Sequence, residues 1–161
     1  MLIQQNVDGS DFFNRSWAEF KVGFKDSTGN YWLGNEMLHQ LTVNGRYKLK
    51  CDLLYSAGGH WNYAEYGGIA VLNEASNYKL IVSRYTGGVS DSLSDHGAMD
   101  FTTYDRDNDR WIEGNCAVWN GGGFWYNRCG PANVNTIANT GDGFRWTNSY
   151  NLLSTRMMLT C

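Results

Sequence analysis

The sequence predicts an α+β domain, mainly antiparallel sheet with short helices and a long irregular loop region. Three observations lead there. The 161 residues are 42% hydrophobic, enough for one packed core and not comfortably for two, so a single domain over residues 1–161 is expected. Nineteen glycines, one proline and seven tryptophans, with 18% charged residues, describe a loop-rich protein that leans on aromatic burial rather than on long amphipathic helices. Short apolar or alternating runs are separated by the pairs Gly58-Gly59, Gly67-Gly68 and Gly87-Gly88, which supply the positive-φ positions of tight connections. No repeat, low-complexity tract or linker interrupts this pattern.

In chain order, Trp17, Phe20, Val22 and Phe24 are spaced for a short helix over Ser16 to Phe24, started by a Ser or Asp cap. Arg46 to Leu54 alternates around Tyr47, Leu49, Cys51 and Leu53, and reads as a strand. Ala70 to Leu72 and Tyr78 to Val82 read as strands as well. From Ala98 to Phe144 the period is lost to Gly, Asn, Asp and aromatics, as in an irregular, site-bearing region. Tyr150 to Thr160 recovers an extended apolar pattern and re-enters the sheet as a late strand.

A formal charge of -3 gives no basic field for phosphate, so nucleic acid is not an expected partner. No apolar run approaches the roughly 20 residues that cross a bilayer, and no membrane insertion is expected. Cys51, Cys116, Cys129 and Cys161 contain no CxxC pair, which argues against zinc and for disulfides. Cys116 and Cys129 bracket a short aromatic loop whose closure would stabilise by about 3 kcal/mol. The even cysteine count and the triplet Asn14-Arg15-Ser16, an acceptor for N-linked glycan, agree with a secreted, extracellular protein.

Several stretches stand out together: Asp8-Gly9-Ser10 with Phe12 and Trp17, Tyr31-Trp32-Leu33-Gly34-Asn35, His39-Gln40-Leu41-Thr42, Asp91-Ser92-Leu93 with His96, and Phe101 through Asp109. Gly114-Asn115-Cys116-Ala117, Phe124 through Cys129, and Tyr150-Asn151-Leu152 complete the set. In this order they resemble the fibrinogen-related domains shared by fibrinogen chains, ficolins, tachylectins, tenascins and angiopoietins. The resemblance implies a fibrinogen C-terminal-domain-like fold, entered near the start of the family's second half without its N-terminal subdomain. It also implies a Cys116–Cys129 disulfide. Cys51 and Cys161 fall outside the family's cysteine positions. A bond between them would tie an inner strand to the terminus; the competing arrangement is a buried free Cys51 with an intermolecular bond through Cys161.

Asp105-Arg106-Asp107-Asn108-Asp109 places carboxylates at alternate positions, where they repel one another unless solvated or bridged by a hard cation. The offsets are not those of an EF-hand. By resemblance the ion is calcium, with Asp107 and Asp109 as side-chain ligands and the backbone oxygens of Trp111 and Glu113 completing the shell. Cation and disulfide would then pin both ends of a permissive stretch, Gly121-Gly122-Gly123.

The neighbouring loop Trp119 to Tyr126 has two readings. In one its aromatics are core, as expected for Trp125; in the other the flanking residues line a shallow acetyl or sugar pocket. The resemblance places that pocket at Asn120, Arg128, Cys129, Gly130, Thr140 and Tyr150, beside a cis Arg128-Cys129 peptide. Gly130 stands where relatives carry histidine, and Asn120 and Thr140 stand where they carry tyrosine. His39, His60 and His96 sit in no nucleophile, zinc-protease or phosphate-loop motif, so no enzyme is expected. The function expected is a secreted calcium-binding recognition module that binds acetylated or other glycans; the alternative partner is a polypeptide, as for adhesion or assembly modules.

Overall fold

The computed structural model describes residues 1–147 and 151–161. Its strands are β1 (Leu2–Asn6), β2 (Phe24–Lys25), β3 (Tyr31–Trp32), β4 (Lys48–Tyr55), β5 (Trp61–Val71), β6 (Leu80–Gly87), β7 (Ala132–Asn133), β8 (Arg145–Trp146) and β9 (Leu152–Thr160). Seven of them form one antiparallel sheet in the order β2-β3-β1-β9-β4-β5-β6, while β7 and β8 pair with each other. The last strand lies near the middle of the sheet, between β1 and β4, so the two ends of the protein are bound together there: Met1 donates its amino group to the Leu159 carbonyl at 2.7 Å.

Alternation sets the faces. In β4, Leu49, Cys51, Leu53 and Tyr55 are buried while Lys48, Lys50, Asp52 and Leu54 are not; β5 and β9 alternate likewise, each with one shift of phase, across Gly67-Gly68 and after Leu152. On the outer face Arg156 lies over the Trp61 ring at 4.6 Å and Lys50 over Tyr63 at 5.6 Å.

Helix α1 (Trp17–Val22) is shorter than the Ser16 to Phe24 expectation, because Gly23 at φ 92 ends it and Phe24 joins the sheet. Its start is a full capping box between Ser16 and Glu19. A second helix, α2 (Asn35–Thr42), packs on β5 and α1. Sequence reasoning did not find it. Its N-cap is Gly34 at φ 110, which offers no capping oxygen, so the usual Ser, Thr or Asp signal is missing. The β5 strand also begins nine residues before the Ala70 expected, since Gly67-Gly68 pass through the strand instead of turning it.

The other half, from about residue 98 to 147, contains only α3 (Cys116–Asn120) and the β7–β8 pair. An aromatic cluster joins the halves: Trp32 and Phe101 meet each other and both Phe20 and Trp125, with ring centroids 5.0–5.9 Å apart. Trp125 is fully buried and donates its indole N–H to the Tyr78 carbonyl at 2.7 Å.

Cys116 and Cys129 are joined, with Cα atoms 5.3 Å apart. Cys51 and Cys161 are not, which corrects that expectation. Cys51 is buried opposite Met157, and burial pushes its thiol pKa up; Cys161 is exposed beyond Thr160, which faces Lys48. Three or more residues along a strand is roughly 10 Å or more, too far for a disulfide.

Candidate binding site

The acidic run divides by partner. Asp105 Oδ1 accepts the Trp17 N–H at 2.9 Å and the Thr103 hydroxyl at 2.7 Å, so this carboxylate holds the start of α1. Arg106 lies 4.0 Å over the Trp17 ring and donates to Asn77 Oδ1. Asn108 donates its side-chain amide to the Phe101 carbonyl and its backbone N–H to Thr102 Oγ1. These three fasten the loop to the scaffold and leave Asp107 and Asp109 facing each other.

Asp109 is partly buried. Its Oδ1 accepts the Trp111 N–H at 2.8 Å and its Oδ2 the Cys116 N–H at 2.7 Å, while Asp107 Oδ1 accepts the Asp109 N–H at 3.2 Å. Burial raises the Asp109 pKa, the two backbone donors oppose that, and the neighbouring Asp107 carboxyl adds to it. The donor set is thus a pair of adjacent carboxylates with one drawn toward neutrality, the condition a hard divalent cation relieves. Of the two residues expected to add backbone oxygens, Trp111 has its carbonyl accepting the Gly114 N–H in a turn, and Glu113 holds its side chain outward, 3.8 Å from Arg128. No group of three or more His, Cys, Asp or Glu side chains placed to hold a metal occurs among the described residues.

Downstream, Asn115 caps α3 by accepting from the Ala117 and Val118 N–H groups. Gly121 ends α3 in the left-handed region at φ 71, while Gly122 and Gly123 serve close packing. A Cβ on Gly122 would sit 1.6 Å from the Asn135 carbonyl oxygen, and one on Gly123 would sit 2.6 Å from the Phe20 ring.

Of the six expected pocket residues, five are described, and they differ in exposure. Asn120 is buried, donating its amide to the Cys116 carbonyl and accepting the Asp142 N–H. Arg128 is exposed. Thr140 sits in a turn where its N–H donates to the Ile137 carbonyl, and Tyr150 lies outside the described residues. No cis peptide occurs among the described residues, which corrects the Arg128-Cys129 expectation; Cys129 instead takes φ 39. Gly130, at φ 103, packs where any Cβ would come 2.6 Å from the His96 ring. That imidazole is buried between the Trp125 carbonyl, which accepts from Nδ1 at 2.8 Å, and the Ala132 N–H, which donates to Nε2 at 3.1 Å. Burial holds its pKa down at about 4.

Two clefts open elsewhere. One of about 620 Å³ is lined by Tyr55, His60, Asn62 and Gly87 to Ser90, the other of about 530 Å³ by Ala138, Asn139, Gly141 to Phe144 and Asn151 to Leu153. Neither includes Asp107 or Asp109.

Beside the carboxylate pair lies a surface that sequence reasoning missed. Ile112 is 96% exposed, Val118 62% and Trp119 50%, and Trp119 meets the half-buried Trp111 edge-on at 6.0 Å. The pairs Trp111-Ile112 and Val118-Trp119, set in a polar loop, were its only signal.

Known proteins share this fold. Residues 1–157 match the family model of the C-terminal globular domain of the fibrinogen beta and gamma chains. The sequence is 39% identical to Fibrinogen-like protein 1 of Bos taurus, covering 90% of this protein and 53% of that one, so it spans about half of that relative's length. The fibrinogen-like globe domain of human ANGPTL2 superposes with a TM-score of 0.87 at 37% identity, over 99% of this protein and 78% of that one. Lamprey fibrin D-dimer, complexed with the peptide Gly-His-Arg-Pro-amide, gives 0.83 at 31% identity, over 98% of this protein and 60% of that one. With the match running across nearly the whole sequence, this protein belongs to the family of fibrinogen C-terminal globular domains, which are binding modules and not enzymes.

Proposed function

We propose that this protein is an extracellular protein-binding module whose polypeptide partner docks on Trp111, Ile112, Val118 and Trp119, beside a calcium ion held by Asp107 and Asp109. The exposed apolar surface carries this reading. Contiguous exposed aromatic and branched side chains mark interaction sites, and tryptophan is enriched among residues that dominate binding energy. The secreted character of the angiopoietin and fibrinogen relatives supports an extracellular setting, and no helix among the described residues is long and apolar enough to cross a membrane. The lamprey relative binds a peptide, which favours a polypeptide over a glycan.

Calcium suits the adjacent carboxylates because it accepts a mixed set of side-chain and backbone oxygens. When bound it supplies charge neutralisation; Asp109 itself orders the Trp111 and Cys116 amides on either side of the docking surface.

Retention of the protein on extracellular matrix and cell surfaces tests the reading. Binding should be abolished by protease, survive glycosidase, and fall about thirtyfold or more for Trp119→Ala, the roughly 2 kcal/mol of a central interface residue. Binding to N-acetylglucosamine beads that free acetylated sugar elutes would contradict it and restore the glycan alternative.

A further inference from the structure

We propose that Asn14 carries an N-linked glycan, an inference that rests on the extracellular reading. Asn14-Arg15-Ser16 is the one place in the sequence where an asparagine is followed two positions later by Ser or Thr. The structure presents that asparagine. Asn14 follows a 3₁₀ turn (Asp11–Phe13) at φ -80, ψ 74, and the Arg15 N–H donates across it to the Phe13 carbonyl at 3.0 Å. This is an inverse γ-turn centred on Asn14, and the residue is exposed at its tip. Among the described residues its side-chain amide makes no hydrogen bond.

The two other members of the triplet are accounted for by the fold. Arg15 lies flat against the body, about 5 Å from the Phe12 and Phe24 ring centres, with Nε donating to the Phe12 carbonyl and a guanidinium nitrogen to Glu19. It therefore leaves the approach to Asn14 open. Ser16 is the N-cap of α1, its hydroxyl engaged by Glu19. Among the described residues no hydrogen bond uses the Asn14 side chain, so its place in a complete acceptor triplet is the feature that packing does not explain.

The chemistry needs a polyprenyl-pyrophosphate-linked oligosaccharide as donor. Asn14 Nδ2 attacks the anomeric carbon; the new C–N bond forms as the C–O bond to phosphate breaks, polyprenyl pyrophosphate leaves, and the amide gives up one proton. Because Ser16 Oγ is committed to Glu19 once α1 forms, transfer precedes folding of this segment. The glycan then stands where α1 meets Asp105.

The test expresses the protein behind a supplied secretory leader and examines only secreted material in which Cys116 and Cys129 are joined. Peptide N-glycosidase should shift the parent by one glycan and leave Asp at position 14. Asn14→Gln and Ser16→Asp, the second retaining a capping oxygen, should show no shift, and Ser16→Thr, which keeps both cap and triplet, should be modified at least as fully as the parent. An unmodified Asn14 in both parent and Ser16→Thr overturns the proposal and leaves the protein-binding reading intact. Secreted protein that never closes the disulfide overturns the extracellular reading and the glycan with it.

Discussion

The two halves of this molecule reach order by different means. In the sheet, strands β4, β5 and β9 are specified by a period of two, and single side chains are interchangeable as long as the buried face stays apolar. In the irregular half, order comes from individual polar side chains aimed at individual backbone groups: Asp105 at Trp17, Asp109 at Trp111 and Cys116, Asn115 at α3, Asn120 at Cys116, Asn135 at the Gly123 carbonyl. The first mode yields a scaffold tolerant of change. The second yields a surface of fixed shape, where each bond has no substitute.

The largest effect should come where the halves meet. Trp125→Ala removes a fully buried indole packed on Trp32 and Phe101 and leaves the Tyr78 carbonyl without its donor, so urea unfolding should show a loss of about 4 kcal/mol. Replacing Cys116 and Cys129 by Ser should cost about 3 kcal/mol. Cys51→Ala should cost less, since Cys51 acts as a small apolar residue inside a paired strand.

Acidification separates the halves further. His96 is neutral in the fold, its pKa held at about 4 by burial, which outweighs the Trp125 carbonyl and Asp95, against an ordinary value of 6.5. Between those values the unfolded state binds a proton that the native state does not, so stability falls as pH drops from 6.5 toward 4, by about 3 kcal/mol in all. Glu19, Glu36 and Glu74 are held below the ordinary value of 4.5 by the Ser16 N–H, the Tyr78 hydroxyl and Lys21, and so weaken the fold only at lower pH. Stability curves at pH 7 and 5 should therefore diverge for the parent and converge for His96→Gln. Ser16→Ala should give the smallest loss, about 1 kcal/mol, from the lost cap of α1.

The same contrast explains what could be read beforehand. Lys48 to Tyr55 announced a strand because its alternation is visible in the letters. β1 did not, because the inward residues of Leu2–Asn6 include Gln4 and Asn6, which are buried to bond the Val134 carbonyl and, from Gln4, Asn135 and Thr155. Asp107 and Asp109, the calcium ligands we propose, were singled out by their spacing and the family likeness. The docking surface was not, since Trp119 and Trp125 stand in one glycine-rich loop and nothing local says that α3 turns one outward while the sheet buries the other. The expected Cys51–Cys161 bond failed for a similar reason: strand register, which sets their separation, is a property of the assembled sheet.

The central claim is that calcium at Asp107 and Asp109 stabilises the irregular half and the surface beside it. Thermal melting in calcium and in chelator, for the parent, Asp107→Ala and Ile112→Asp, tests it most directly. At a hundredfold excess over the dissociation constant, calcium should stabilise the parent by about 2.7 kcal/mol. The gain should vanish in Asp107→Ala and persist in Ile112→Asp, since the Ile112 side chain is almost fully exposed. Equal midpoints in calcium and chelator for the parent, or an undiminished gain in Asp107→Ala, would contradict the account.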